Sequence, residues 1–416
     1  MVAINGFAYM QMVLGFIVGQ LIIAFVLIPL FYKMNLISIY QYLDNRFGML
    51  SHKTGAWFFF VSKMLGAAVR LFLVCLTLQL VVLDPYHSPF LPNVIITVAL
   101  VWLYTFRGGV KSIIWTDSLK TLCLIVSVVL CIYYISCKLD MSFGGMVKSI
   151  TGSDMSQFFF FGDVDDKRYF FKQFFAGIFM MIAMTGLDQD MMQRNLSCKN
   201  FHDSQKNIIT SGLCQFVINL LFLMLGVLLY LFAHKVGIKE TGDKLFPTVA
   251  SSNYFPAIVG ILFIVGLISS AYSAAGSALT ALTTSFTVDI LHTKGLNEER
   301  LTRTRKHVHI IMAIVMGVVI FVFGILNNTS VIDAVYKLAS YTYGPILGLF
   351  AFGILTKAKV RDRFIPYVAI LSPILCYILD VNSERWFGGY KFSYELLIFN
   401  ALFTFLGLCL LIKRKN

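Results

Sequence analysis

The sequence predicts an all-α protein that crosses a membrane many times, and three observations carry that prediction. Of 416 residues, 58% are hydrophobic and 13% are charged, where a soluble domain carries roughly a quarter charged residues. The mean hydropathy is +0.78. Eleven apolar stretches are each long enough to cross about 30 Å of hydrocarbon as a helix, near 7–31, 55–83, 90–106, 112–136, 169–187, 207–233, 255–290, 307–326, 331–355, 364–381 and 395–412. Lys and Arg alternate between the connecting segments, with 20 on one side and 9 on the other. The richer side is read as cytoplasmic, which puts the C-terminus inside and, with eleven spans, the N-terminus outside. The whole of 1–416 reads as one transmembrane domain.

Each stretch has its own features. The first carries Gly15 and Gly19, a G-x-x-x-G pattern for close helix packing, and Gln11, a candidate neutral contact to a solute. The second carries Lys63 and Arg70, seven residues apart and so on one helix face. Charges at membrane depth are costly and line interior paths. Arg70 is either a contact for an anionic group such as a carboxylate or a clamp between helices. On the fourth, Asp117 lies six residues past Lys111, about 9 Å along the helix, with Lys120 three residues on. It either serves a passing cation or pairs locally. The segment from Cys137 to Arg168 holds four consecutive Phe at Phe158 to Phe161 and an acidic run at Asp163, Asp165 and Asp166. It reads as a connector with an aromatic anchor, or as a loop over a gate. The fifth has Lys172 and is flanked by Gly177 and Gly186; Gly344-Pro345 breaks the ninth. Broken helices expose backbone groups at mid-membrane, a device of secondary transporters. Asp333 and Lys337 read as a surface pair, and His307 and His309 as solvated residues at a basic edge.

The seventh stretch is the most informative. Ser270, Ser273, Ser277, Thr280, Thr284 and Thr287 recur every three or four residues, which puts six hydroxyls on one helix face. One reading is helix packing, with each hydroxyl bonded back to its own helix. The other is a line of oxygen ligands for a small hard cation such as sodium.

Other classes find little in the sequence. Eight Cys contain no C-x-x-C pair, so neither a disulfide framework nor a metal cluster is expected. The net charge of +13 belongs to basic loops rather than to a nucleic-acid surface. No nucleophile–base pair or phosphate loop stands out, so neither an enzyme nor an organic cofactor is expected. No cleavable signal peptide precedes the first stretch.

Four stretches, in order, resemble the sodium/solute symporter family. Gly6 to Gly48 is similar to its second core helix and the following S-I-Y-x-Y-L-x-x-R-F-G segment. Arg107 to Thr121 (RGGVKSIIWTDSLKT) is similar to the start of its fifth core helix, Gly186 to Asn200 (GLDQDMMQRNLSCKN) to its D-Q-x-x-x-Q-R segment, and Ser269 to Leu291 to its eighth core helix. The resemblance implies a LeuT-type inverted-repeat fold, here lacking the first core helix and so an N-terminally shortened member. It implies sodium as the co-transported ion, held at Ser270 through its carbonyl, at Ser273, at Ala274 (where many members carry a second hydroxyl) and beside Ser277. It makes Asp117 an ion-pathway residue. The expectation is sodium-coupled symport of a small organic solute (a sugar, sugar acid, amino acid or carboxylate) across the cell membrane by alternating access. The alternative is a non-transporting relative acting as a membrane sensor or regulatory module.

Overall fold

The structure is a computed structural model that describes residues 2–34, 38–107, 110–251, 254–291, 297–326 and 331–413. All eleven predicted stretches are helical. Among the described residues, seven helices are long and apolar enough to cross a membrane, two more spans are pairs of helices bent at a short break, and two are shorter apolar helices, Phe90–Phe106 and Leu396–Leu410. In hydrocarbon a backbone must satisfy its own polar groups, which is why apolar runs of this length fold as helices.

The helices that build the spans are α1 (Tyr9–Met34), α2 (Met49–Leu78), α3 (Phe90–Arg107), α4 (Val110–Lys138), α5 (Phe170–Gly186), α6 (Gln189–Leu196), α7 (Phe201–Val236), α8 (Ala257–Ser285), α9 (Glu298–Leu326), α10 (Val331–Thr342), α11 (Gly344–Leu355), α12 (Ile365–Trp386) and α13 (Leu396–Leu410). One large buried cluster joins α1, α5, α7, α11 and α13. A second joins α2, α3, α8 and α9.

The glycine pattern on α1 does what its spacing predicts. A Cβ on Gly15 would stand 2.2 Å from the Phe174 carbonyl oxygen, and one on Gly177 would stand 2.2 Å from that of Met12. The α1 and α5 backbones therefore touch, and only glycine allows it.

Both bent spans have their freed backbone groups satisfied by side chains. Between α5 and α6 the axis turns by 70°. There Tyr40 donates its hydroxyl to the Leu187 carbonyl at 2.8 Å, and Asp188 caps α6 by accepting from Met191 N at 3.1 Å. Between α10 and α11 the turn is 48°, and the Asn400 amide donates to the carbonyls of Ser340 and Tyr341, both at 2.9 Å. A buried helix end without such partners would be costly.

Three expectations are corrected. Lys337 does not pair with Asp333: it bridges to Asp380 at 3.2 Å, while Asp333 accepts a hydrogen bond from Tyr394. The four-residue spacing allowed the local pair, but α12 and the segment before α13 bring better partners. His309 is not solvated. It is buried between Thr105 Oγ1 at 2.9 Å and Thr283 Oγ1 at 3.0 Å, because its face of α9 turns inward onto α3 and α8. The phenylalanine run does not simply anchor at an interface. Phe158 meets Phe7, and Phe159 and Phe161 pack on Phe170, so the segment folds over the start of α1 and α5.

Candidate functional site

A cavity of about 150 Å³ lies on the seam between the two buried clusters. Its walls come from α2, the α5–α6 break, α8 and the α10–α11 break. It is smaller than the roughly 300–1,000 Å³ of a typical ligand pocket. It therefore fits a hydrated ion or one end of a solute, and a larger solute requires the walls to part.

The hydroxyl stripe divides along its length: part of it lines the cavity and part bonds back to its own helix. Ser273, Ala274 and Ser277 line the cavity. Further along, Thr280 Oγ1 bonds back to the Gly276 carbonyl at 2.8 Å and Thr287 Oγ1 to that of Thr283 at 2.7 Å, the packing behaviour of a membrane helix. Ser270, one turn before Ser273, is half-buried and outside the cavity wall. Ala274 is open to the cavity and brings no oxygen to it.

Lys63 and Arg70 both face the cavity, as their seven-residue spacing predicts. Their roles differ. Lys63 is 8% exposed and Asp188 is 2% exposed. Its ammonium lies 3.1 Å from both oxygens of Asp188 and 3.1 Å from Asp190 Oδ2. Tyr343, also buried, donates to Asp188 Oδ2 at 2.9 Å. Asp190 pairs in turn with Arg194 at 3.2 Å, and Arg194 donates to Ser277 Oγ. A single network thus runs from α2 through both helix breaks to the hydroxyl stripe. Arg70, by contrast, has no hydrogen-bond or ion-pair partner among the described residues, and its guanidinium opens into the cavity.

The sequence did not reveal that Asp190 lines the cavity or that Asp188, just behind it, holds the lining Lys63. A signal was present: a buried lysine needs an acid, and this is the acidic pair beside a helix break. The cavity also takes nothing from the first span, where a solute contact was expected, and takes α10 and the break residue Tyr343 instead. Gln11 is buried away from it. Its amide donates to the carbonyls of Ala8 at 3.2 Å and Arg168 at 2.8 Å and accepts from Phe160 N at 3.1 Å, so every part of it serves to hold the long loop on α1. Asp117 and Lys120 lie on α4, and their side chains fall outside the described residues.

Ser273 and Ser277 offer neutral oxygens suited to sodium. The cations around them, Lys63, Arg70 and Arg194, outnumber the one lining carboxylate, Asp190. Among the described residues, no cluster of three or more His, Cys, Asp or Glu could hold a metal ion.

Comparison with known proteins agrees with this architecture. The family model described as the sodium:solute symporter family matches residues 1–362. The sodium/sialic acid symporter NanT of Aliivibrio fischeri is 26% identical over 399 residues, covering 90% of this chain and 76% of the relative. SiaT of Proteus mirabilis, a sodium/sialic acid symporter, is 24% identical, covering 92% and 79%. The human sodium/iodide cotransporter is 22% identical, covering 85% and 55%. A Na+-coupled sialic acid symporter solved in a substrate-bound outward-open state superposes with a TM-score of 0.75 at 20% identity, covering 98% of this chain and 87% of that one.

Proposed function

The chain belongs to the sodium:solute symporter family, and on that premise we propose that it couples inward sodium movement to uptake of a small organic anion. Sodium-coupled solute symport is the family's activity, and the match favours it over a sensor or regulatory module. The observation that carries the choice of solute is the unpaired guanidinium of Arg70, open to the same small cavity as Ser273 and Ser277. Arg70 is exposed on the wall of a cavity whose cations outnumber its carboxylates, so the site gains most from a ligand that brings a negative charge. A carboxylate satisfies Arg70 in two parallel hydrogen bonds.

Sodium is read as bound at Ser273 and Ser277, with Ser270 contributing its carbonyl and Ala274 no side-chain oxygen. Asp117, on α4, is read as an ion-pathway residue. Sodium and solute raise each other's affinity because each favours the arrangement in which the cavity walls are closed around both. The C-terminus is read as cytoplasmic, which the distribution of Lys and Arg supports.

The test is uptake into proteoliposomes under an inward sodium gradient. Radiolabelled N-acetylneuraminate, lactate and glucose are compared in the parent and in Arg70→Gln. Sodium-dependent uptake of a carboxylate, lost in Arg70→Gln while the protein stays folded, supports the reading. Uptake of glucose alone, or carboxylate uptake unchanged in Arg70→Gln, rejects it.

A further inference from the structure

A second opening is larger than the polar cavity. It is an apolar trough of about 520 Å³ between α3 and α9, walled from Leu91 to Trp102 on one side and from Ile310 to Phe321 on the other. Its floor is made low by small residues, Ala99, Ala313 and Gly317. Its rims stand out: Ile95, Ile314 and Val318 are all exposed. Both helices are apolar where they face outward, so the trough opens to hydrocarbon.

One end of the trough is basic. On α9, Arg303, Lys306, Ile310, Ile314, Gly317 and Phe321 follow one another at steps of three or four and share a face. Arg303 lies about 10 Å beyond Ile310 along that face. The side chains agree with the phase: Lys306 Nζ lies 5.7 Å from the centroid of the Phe106 ring on α3, which puts it across the mouth. Arg303, Lys306 and His307 are exposed. Glu298 and Glu299 open α9 one turn further out, and Arg300 and Arg305 on the same helix leave that end positive. Among the trough's side chains, Trp102 alone brings a polar atom, Nε1, which is buried near the mouth without an acceptor among the described residues.

We propose that this trough binds one anionic phospholipid, with an acyl chain lying along the apolar floor and the phosphate held at the mouth by Arg303 and Lys306. Ordinary hydrocarbon contact needs only a smooth apolar surface. A recess between two helices that leads into a cationic end matches the two-part chemistry of a single lipid. A transmembrane helix of a partner protein or of a second copy would use the apolar length but gain nothing from the basic mouth.

The experiment is native mass spectrometry of the full chain released from nanodiscs of equal phosphatidylglycerol and phosphatidylcholine. The parent is expected to retain one phospholipid, enriched in phosphatidylglycerol by about twenty-fivefold, from about a factor of five for each of two basic side chains. In Arg303→Gln/Lys306→Gln the lipid remains but its enrichment falls to near unity. In Gly317→Phe the lipid is lost. The trough has room there, since an added Cβ first meets Val98 at 3.7 Å. Retained lipid at the bulk ratio in the parent overturns the proposal. So does retention unaffected by Gly317→Phe, or a dimer in the parent that Gly317→Phe abolishes. Should Gly317→Phe fail to fold, the exposed double variant still decides through head-group enrichment.

Discussion

Replacing Lys63 with Met tests the network that joins the helix breaks. The parent ammonium meets three carboxylate oxygens at 3.1 Å in a site where Lys63 and Asp188 are almost wholly buried. After the change, Asp190 keeps Arg194 as a partner, but Asp188 keeps only neutral donors, the Tyr343 hydroxyl and Met191 N. A buried carboxylate stripped of its cation costs about 3–5 kcal/mol. Spread over the unfolding entropy of a chain this long, that lowers the melting temperature by roughly 3–6 °C. Asp188→Asn should rescue it. Asparagine can still cap α6 with its one amide oxygen while its NH2 donates to the Tyr343 hydroxyl oxygen, and it carries no charge to be orphaned. The assay is a thermal melt in detergent of the parent, both single variants and the double variant. The expected cycle has a coupling of about 2 kcal/mol or more, with Lys63→Met/Asp188→Asn more stable than Lys63→Met alone. Additive effects, or a Lys63→Met melt within about 1 °C of the parent, would refute the claim that this pair holds the breaks.

Four further outcomes follow from the same geometry. Ser273→Ala removes an oxygen from the proposed sodium site and should raise the sodium concentration for half-maximal uptake by about tenfold, while Ala274→Ser should lower it; a shift in neither places the ion elsewhere. Arg194→Gln takes a guanidinium off Ser277 and should tighten apparent sodium affinity a few-fold; weaker binding would make Arg194 part of the site rather than a competitor. Gly177→Leu drives α1 and α5 apart against the Met12 carbonyl and should cost about 1–3 kcal/mol or more, read as a lower melt; an unchanged melt contradicts the close approach. In the loop before α5, hydrogen bonding from Arg168 holds the Asp166 carboxyl below its ordinary range. A depressed carboxylate contributes stability above its unfolded pKa and loses it as pH falls through the folded value. The loop's protection from hydrogen exchange should therefore survive mild acid and fail only below the usual carboxylate range, and Asp166→Asn should abolish that dependence.

What the sequence made legible follows from how local each signal was. Spans were readable because hydrocarbon thickness fixes helix length. The Gly344-Pro345 break was readable because the two residues disfavour a continuous helix between them. The Gly15 pattern was readable because only a missing Cβ allows backbones to touch. Partners were harder, since a lysine does not announce which acid it will meet. Lys63 lies 125 residues from Asp188, and Lys337 passed over the aspartate four residues away for one on α12. The amide of Gln11 reads equally well as a solute contact or a loop clamp until the loop is folded over it. The hydroxyl stripe shows the limit best: its spacing is uniform, yet Ser273 and Ser277 face the cavity while Thr280 and Thr287 spend their oxygens on their own helix.

The two breaks are not independent hinges. Asp188 is the last residue before α6, and Tyr343, which donates to it, is the last before α11. Lys63, on the unbroken α2, holds the same carboxylate. Turning α6 without α11, or either without α2, breaks a buried charge-assisted contact, so these three elements move together or exchange partners in a set order. Arg194, on α6, links that order to the stripe, because it shares itself between Asp190 and Ser277. On the proposed reading, a sodium ion arriving at Ser277 would displace a like charge toward Asp190, the carboxylate that Lys63 also uses. Binding energy at the stripe would thereby reach the residues that fix both bends. An ion can shift a conformational equilibrium only through such a difference in its contacts between two states.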